Sequence, residues 1–186
     1  RSLVGSEMCI RDRSIEVYFK QDATPDSEKN NVGYLASQYM TSMITSMLNA
    51  RLSELTQSAN PPFTRAYSSY GNFFVAKTKE ALNLSASSKA DGIEKALKVL
   101  LQEAERARRF GFTESEYARA RANYLQRLES AYNEREKTKH GSYVREYVRN
   151  FLDAEPIPGI ETEYAMMNQL APNLPVQAIN LSLIHI

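Results

Sequence analysis

The feature that most constrains the fold is a long series of apolar residues at helical spacing near the start of the chain. Between Val32 and Leu55, apolar side chains recur at steps of three and four residues, which predicts one long amphipathic helix. Several of them are methionines, which are flexible and often fill gaps in protein cores. We therefore favour a core position for this stripe over a partner surface. The residues concerned are Val32, Leu35, Ala36, Tyr39, Met40, Met43, Ile44, Met47, Leu48, Leu52 and Leu55.

Segments with the two-residue period of β-strands lie on both sides of this helix. One strand with alternating apolar residues is predicted over residues 15–20. Residues 63–70 and 73–88 are rich in aromatic, Ser and Thr residues and predict two or three further strands in antiparallel connection. Gly71 and Asn72 predict the turn between these two segments.

The last predicted strand has one apolar side and one polar side, because apolar and polar residues alternate along it. The apolar side, which we expect to be buried, comprises Leu82, Leu84 and Ala86. The polar side, which we expect to face solvent or a cavity, comprises Asn83, Ser85 and Ser87.

Several helices are predicted in the second half of the chain. Asp91 is placed to cap a helix that ends at Gly111, and Thr113 with Glu116 forms a capping box for the next helix. The helix opened by this capping box is predicted to extend to Gly141. Three more helices are predicted, from Ser142 to Leu152, from about Ile160 to Leu170, and from Pro175 onward. In the helix that starts at Ser142, one side is apolar and comprises Tyr143, Val144, Tyr147, Val148, Phe151 and Leu152.

The order of these elements predicts the fold class. One strand, a long helix, two or three strands and then several helices do not form an alternating β-α-β series. Such segregation is typical of the α+β class. We therefore expect an antiparallel or mixed sheet with several helices packed on one face, led by the long amphipathic helix.

The two ends of the chain continue none of these patterns. Residues 1–13 and 181–186 resemble translated sequencing-adapter read-through, and we interpret both as artefacts outside the domain, as an expression tag would be. The domain is then predicted to span residues 14–180. Cys9 and His185 fall in the two excluded segments.

Within residues 14–180, the side chains that common hydrolytic or redox chemistry requires are too few. His140 has Glu136 four residues before it, but two side chains do not complete a zinc site. A nucleophilic Ser or Thr would need His140 as its base, and no glycine-rich phosphate loop is present. We therefore predict no catalytic, cofactor-binding or metal-binding residue in this chain.

The charge pattern argues against nucleic acid and membrane partners. Arginines are frequent between Arg106 and Arg149, but glutamates interleave with them, and the whole chain has 23 basic and 22 acidic residues. Nucleic-acid binding requires a net basic surface, so we interpret this region as a solvated, ion-paired surface. No apolar run reaches the roughly 18 residues of a membrane-spanning helix.

Three segments, in this order and spacing, carry a family resemblance. They are LNARLSELTQ at residues 48–57, FTRAYSSYGNFF at residues 63–74, and GIEKALKVLLQEAERARRFGFTESEYARARAN at residues 92–123. Together they resemble the second, non-catalytic domain in the N-terminal half of bacterial pitrilysin/insulinase-type zinc metallopeptidases. The resemblance covers nearly all of residues 15–180.

This resemblance implies a supporting role in proteolysis. In that family, two similar halves close around a peptide, and each half contains two related α+β domains. Zinc is held in the first domain by an H-x-x-E-H motif and a distant Glu, and this chain has none of these positions. The partners implied are the preceding zinc-bearing domain, the other half of the parent peptidase, and peptide substrates. Bacterial relatives imply a periplasmic or other extracytoplasmic location.

The fourth domain of the family resembles the second but contacts substrate through an Arg followed seven residues later by a Tyr. Here Thr56 occupies the Arg position and Tyr67 follows only after extra residues, which favours the second domain. We expect Tyr67 to be a strand residue packed on its neighbours, and Asn83, Ser85 and Ser87 to be the substrate-facing residues. The alternative is a scaffold or interaction domain of a degenerate, non-proteolytic homologue.

Overall fold

A computed structural model describes residues 13–89 and 91–184. The strands are β1 (Arg13–Asp22), β2 (Arg65–Asn72) and β3 (Lys79–Ser88), and the helices are α1 (Val32–Thr56), α2 (Ile93–Phe110), α3 (Glu114–Asn133), α4 (His140–Asp153), α5 (Ile160–Asn173) and α6 (Val176–Ile184). Two short 3-10 turns span Asp26–Glu28 and Arg135–Lys137. The predicted α+β class, with an antiparallel sheet and a long leading helix, is confirmed.

The three strands form an antiparallel sheet in the order β1-β3-β2, so β3 is central. The turn between β2 and β3 was predicted wrongly. Gly71 and Asn72 still pair with Ala81 and Glu80, and the chain reverses over residues 73–78. That turn is closed by hydrogen bonds from Phe73 N to the carbonyl of Lys79 (2.8 Å) and from Ala76 N to that of Phe73 (3.0 Å).

One face of the sheet is covered by helices and contains the core. α1 packs against β2, and α2 packs against β3 and β1. Met43 and Ile44 of α1 are fully buried, which confirms that the methionine stripe belongs to the core, while Val32 at the start of the helix is exposed. The predicted buried side of β3, Leu82, Leu84 and Ala86, lies in the same core.

The helix boundaries follow local capping. Thr113 and Glu116 form the predicted capping box, and α2 ends at Gly111 in a left-handed conformation with φ of 68°. The predicted cap at Asp91 is wrong, because Gly92 occupies the cap position and no side chain bonds to the first turn. α3 also ends earlier than predicted, at Asn133, because the chain then tightens into a 3-10 turn.

The C-terminal helix extends past the predicted domain limit. α6 includes residues 181–184, and Leu183 is buried among the core residues. Residues 1–12, most of the N-terminal segment interpreted as an artefact, lie outside the described residues. The limits 14 and 180 therefore stay predictions.

Arg51 connects the long helix to the two helices that follow the sheet. Its Nε donates to Glu116 Oε1 at 2.6 Å, and its Nη1 donates to Glu103 Oε1 at 3.2 Å. Its Nη2 donates to the Gly111 carbonyl at 3.0 Å, and the guanidinium lies 4.7 Å from the ring centre of Phe112. Because Arg51 and both glutamates are largely buried, this network fixes the junction of α1, α2 and α3.

Candidate functional site on the open face of the sheet

The side of the sheet opposite the helices is formed by alternate residues of all three strands. The pairing places Tyr18, Asn83 and Ser69 side by side. Side chains on the outer strands of this face are largely exposed, including Glu16 and Lys20 of β1. We call this surface the open face. It comprises Ser14, Glu16, Tyr18, Lys20, Arg65, Tyr67, Ser69, Gly71, Ala81, Asn83, Ser85 and Ser87.

The three residues predicted to face substrate lie together in the centre of the open face. Asn83 and Ser87 are half-buried, whereas Ser85 is only 6% exposed because Glu16 and Tyr67 flank it in register. The Oδ1 atom of Asn83 is buried and has no hydrogen-bond partner within the described part of the chain. Buried polar atoms normally have a partner. Asn83 is therefore the member of this row with unused capacity to accept a hydrogen bond.

An aromatic group borders the polar row at one end. The ring of Tyr18 packs edge-on against Phe73 with centroids 5.4 Å apart, and Phe74 lies 5.8 Å from Tyr18. Lys20 Nζ lies 5.3 Å from the centre of the Phe73 ring. Phe74 is 78% exposed, and the neighbouring Val75 is also largely exposed. The sequence prediction placed Phe73 and Phe74 in a strand, and only the true turn position brings them to this edge.

Charges on the open face are mixed. Tyr18 Oη donates to Glu16 Oε2 at 2.5 Å, and this hydrogen bond to a carboxylate raises the pKa of the tyrosine. Tyr67 lies on β2 as predicted, but it is 45% exposed rather than closely packed. The face thus offers hydrogen-bonding groups, aromatic rings and charges of both signs. Such a surface is suited to contact a peptide, and it has no histidine or cysteine to act as base or nucleophile.

The chain's remaining zinc candidate was also located. His140 is the first residue of α4 and is exposed, and Glu136 lies exposed in the preceding 3-10 turn. Among the residues that the structure describes, no three His, Cys, Asp or Glu side chains are grouped to hold a metal ion. The donor groups of residues 13–89 and 91–184 therefore do not fit a zinc site.

Apart from the open face, a cavity of about 540 Å³ lies between α1 and the ends of β2 and β3. Its floor includes Glu80, which accepts a hydrogen bond of 2.7 Å from Tyr70, and Tyr70 in turn accepts one from Gln21. The hydroxyls of Thr41 and Thr45 on its wall donate to carbonyls of their own helix. These five side chains therefore have partners within the domain. None of the helices in the described part of the chain is long and apolar enough to cross a membrane.

Sequence comparisons connect this geometry to known proteins. Residues 6–124 match a family described as the inactive domain of peptidase M16. A curated relative, a zinc protease PQQL-like protein of Arabidopsis thaliana, is 36% identical over 75 residues. That stretch is 40% of this chain and 8% of the relative, so the chain spans only a small part of its length.

Three solved structures share the fold. The periplasmic protease PqqL from Escherichia coli superimposes with a TM-score of 0.81 at 18% identity, over 94% of this chain and 19% of that one. The first half of the same protease gives 0.78 at 17% identity, over 94% and 36% of the two chains. An insulinase family protease from Yersinia pestis gives 0.78 at 10% identity, over 96% and 38%.

Proposed function

Because this chain belongs to the peptidase M16 family, and to the part of it described as the inactive domain, we propose that it forms a wall of the substrate chamber in a zinc endopeptidase. The parent enzyme cleaves peptides or small unfolded proteins, with zinc held by a preceding domain. The other half of the parent closes the chamber. This chain alone has no peptidase activity.

The observation that carries the proposal is the match to the inactive domain over residues 6–124. One structural fact supports it. The chain's fold corresponds to about a third of a solved PqqL half, which leaves room in such a parent for a separate catalytic domain. The location we propose for the parent is periplasmic or otherwise extracytoplasmic, supported by the periplasmic protease among the structural neighbours.

Within this role, Asn83, Ser85 and Ser87 line the chamber. The open face has no helix of the described part of the chain over it, and the buried Oδ1 of Asn83 has no partner there. A peptide N–H is the natural donor to such an amide oxygen. The Asn83 side chain then turns outward and accepts a hydrogen bond from the substrate backbone. The exposed Phe74 and the half-buried Tyr18 and Phe73 pack against substrate side chains.

The substrate contact can be tested in the intact parent enzyme by replacing Asn83 with alanine. Loss of one neutral hydrogen bond costs about 1 kcal/mol, so KM for a peptide should rise roughly fivefold while kcat stays unchanged. Asn168→Ala is the matched control, because Asn168 lies exposed on α5 and bonds only to the carbonyl of Tyr164. An unchanged KM for Asn83→Ala would remove Asn83 from the substrate surface and leave the wall role to be tested separately.

The competing proposal is a scaffold or interaction domain of a homologue that has lost proteolysis. The complete reading frame distinguishes the two. An active zinc endopeptidase of this family requires H-x-x-E-H in the domain that precedes residue 15. If that domain carries altered residues at those positions, the scaffold role is correct.

A further inference from the structure

Helix α4 has its apolar side turned away from the domain. Six apolar residues lie on one side of this helix, and all six are exposed. The most exposed of them is Phe151, at 87%. We call them the α4 stripe: Tyr143, Val144, Tyr147, Val148, Phe151 and Leu152. No residue of α4 is buried against the described part of the chain. An amphipathic helix on a finished domain normally turns this side toward the core.

The polar side of α4 faces the domain instead. Ser142, Glu146 and Asp153, at steps of four and seven residues, share one side of the helix and are its half-buried positions. The carbonyl of Asp153 accepts a hydrogen bond of 2.6 Å from Lys29 Nζ, and Lys29 is itself 6% exposed. This contact holds the C-terminal end of α4 against the domain, and the α4 stripe lies outward.

Local contacts order the loop that ends α4. The helix ends at Ala154 in a left-handed conformation with φ of 51°. Arg149 Nε then donates to Glu155 Oε2 at 2.8 Å, and Asn150 Nδ2 donates to the Glu155 carbonyl at 2.7 Å. The α4 stripe is thus a group of six exposed apolar side chains on one side of an ordered helix, and such a patch indicates a binding partner.

We propose that the α4 stripe is the docking surface for another domain of the same parent protein, an inference that rests on the proposed function. The occupant follows from how much chain lies outside this domain. The fold covers only 36% of a solved PqqL half and 19% of the whole protease, so most of such a protein is available as a neighbour. A covalently joined neighbour is present at high effective concentration, so a single helix side is a sufficient contact.

The charges of α4 favour a protein surface over an anionic membrane. Of the two exposed arginines of α4, Arg145 and Arg149, the second is paired with Glu155 at 2.8 Å, so the outward charge is small. Helices that lie on anionic membranes carry an excess of Lys and Arg on their polar side. The partner surface is therefore apolar and has no large excess of acidic or basic residues.

The test combines Val148→Glu and Phe151→Glu in the intact parent protein and in this chain alone. In this chain alone, the double variant should keep its thermal midpoint within about 2 °C, because nothing covers either side chain. In the parent, it should speed hydrogen exchange of the α4 amides by about tenfold, because the docked helix is released. Arg145→Glu, an exposed charge reversal on the same helix, is the control and should change neither quantity.

Each other outcome contradicts the proposal. Equal α4 exchange in the parent and in the isolated chain means that no domain covers the stripe. Self-association of the isolated chain that the double variant abolishes, measured by sedimentation, assigns the surface to a second copy. Binding to phosphatidylglycerol vesicles that the double variant abolishes assigns it to lipid. Exchange is read independently of cleavage, so a parent without peptidase activity refutes the proposed function and leaves this result intact.

Discussion

At the scale of single residues, the charged network around Arg51 shows how a buried ion is tolerated. Arg51 has two carboxylates and a carbonyl as acceptors, so its donors are satisfied as it leaves water. The hydrogen bonds from Arg51, with help from the Thr113 backbone N–H, lower the pKa of the Glu116 carboxyl to about 2. The capping box was visible in the sequence, but nothing in the charge pattern indicated that Arg51 would also bind Glu116.

Replacing Arg51 with methionine should destabilise the fold strongly. The change leaves Glu116 buried without its cation and leaves Glu103 with only Arg106 at 3.5 Å, and breaking such a buried pair typically costs about 3 kcal/mol. Arg108→Met is the control, since Arg108 pairs with Glu105 on the exposed surface of α2 and should change stability by less than about 1 kcal/mol. Urea unfolding followed by circular dichroism measures both. Equal effects of the two variants would show that the network does not hold the helices.

The lowered pKa of Glu116 predicts a pH dependence of stability. A carboxyl with a depressed folded-state pKa stabilises the fold above its unfolded value, and the contribution is lost as pH falls from about 5 toward about 2. Glu116→Gln should therefore cost about 1–3 kcal/mol at pH 7 and progressively less toward pH 2. Unfolding free energies of both proteins across that range test this. A difference that stays constant with pH would exclude ionisation of Glu116 as its source.

At the scale of elements, period and capping predicted helices and strands well, and the misplaced turn after β2 depends on distant contacts. The two-residue period identified β1 and the buried side of β3, because burial of alternate residues is a local pattern. The turn after β2 was misplaced, because pairing with β3 continues through Gly71 and Asn72. The strand register, set by tertiary pairing, decides such a boundary.

Two glycines in the helical half should respond in opposite ways to alanine. Gly111 has φ of 68°, and an added Cβ would lie 2.5 Å from Asn180 Cγ, so Gly111→Ala should destabilise the chain by about 1–2 kcal/mol. Gly141 lies within α4 with only Arg145 Nη1 at 4.0 Å from such a Cβ. Gly141→Ala should stabilise by up to about 1 kcal/mol. Thermal melts of both variants measure the contrast, and effects of the same sign would contradict this account of the helix ends.

At the scale of the whole molecule, the sequence predicted the class and the family, and the structure adds the directions in which surfaces point. The apolar side of α4 was visible in the sequence, but its outward orientation was not, because spacing does not tell which neighbour a helix side meets. Similarly, the polar side of β3 was predicted, while the aromatic group beside it depends on where the strand pair turns. Both surfaces are explained together if this chain is one wall of a larger enzyme.

We propose that the rest of the parent protein, and not this chain, binds zinc and cleaves peptides. Measurements of zinc content and of peptide cleavage test this proposal. Both should be measured on this chain and on the intact parent, by elemental mass spectrometry and with a quenched fluorescent peptide. We expect zinc and chelator-sensitive cleavage in the parent, and neither zinc nor cleavage in this chain. Stoichiometric zinc in this chain, with cleavage that a chelator abolishes, would contradict it.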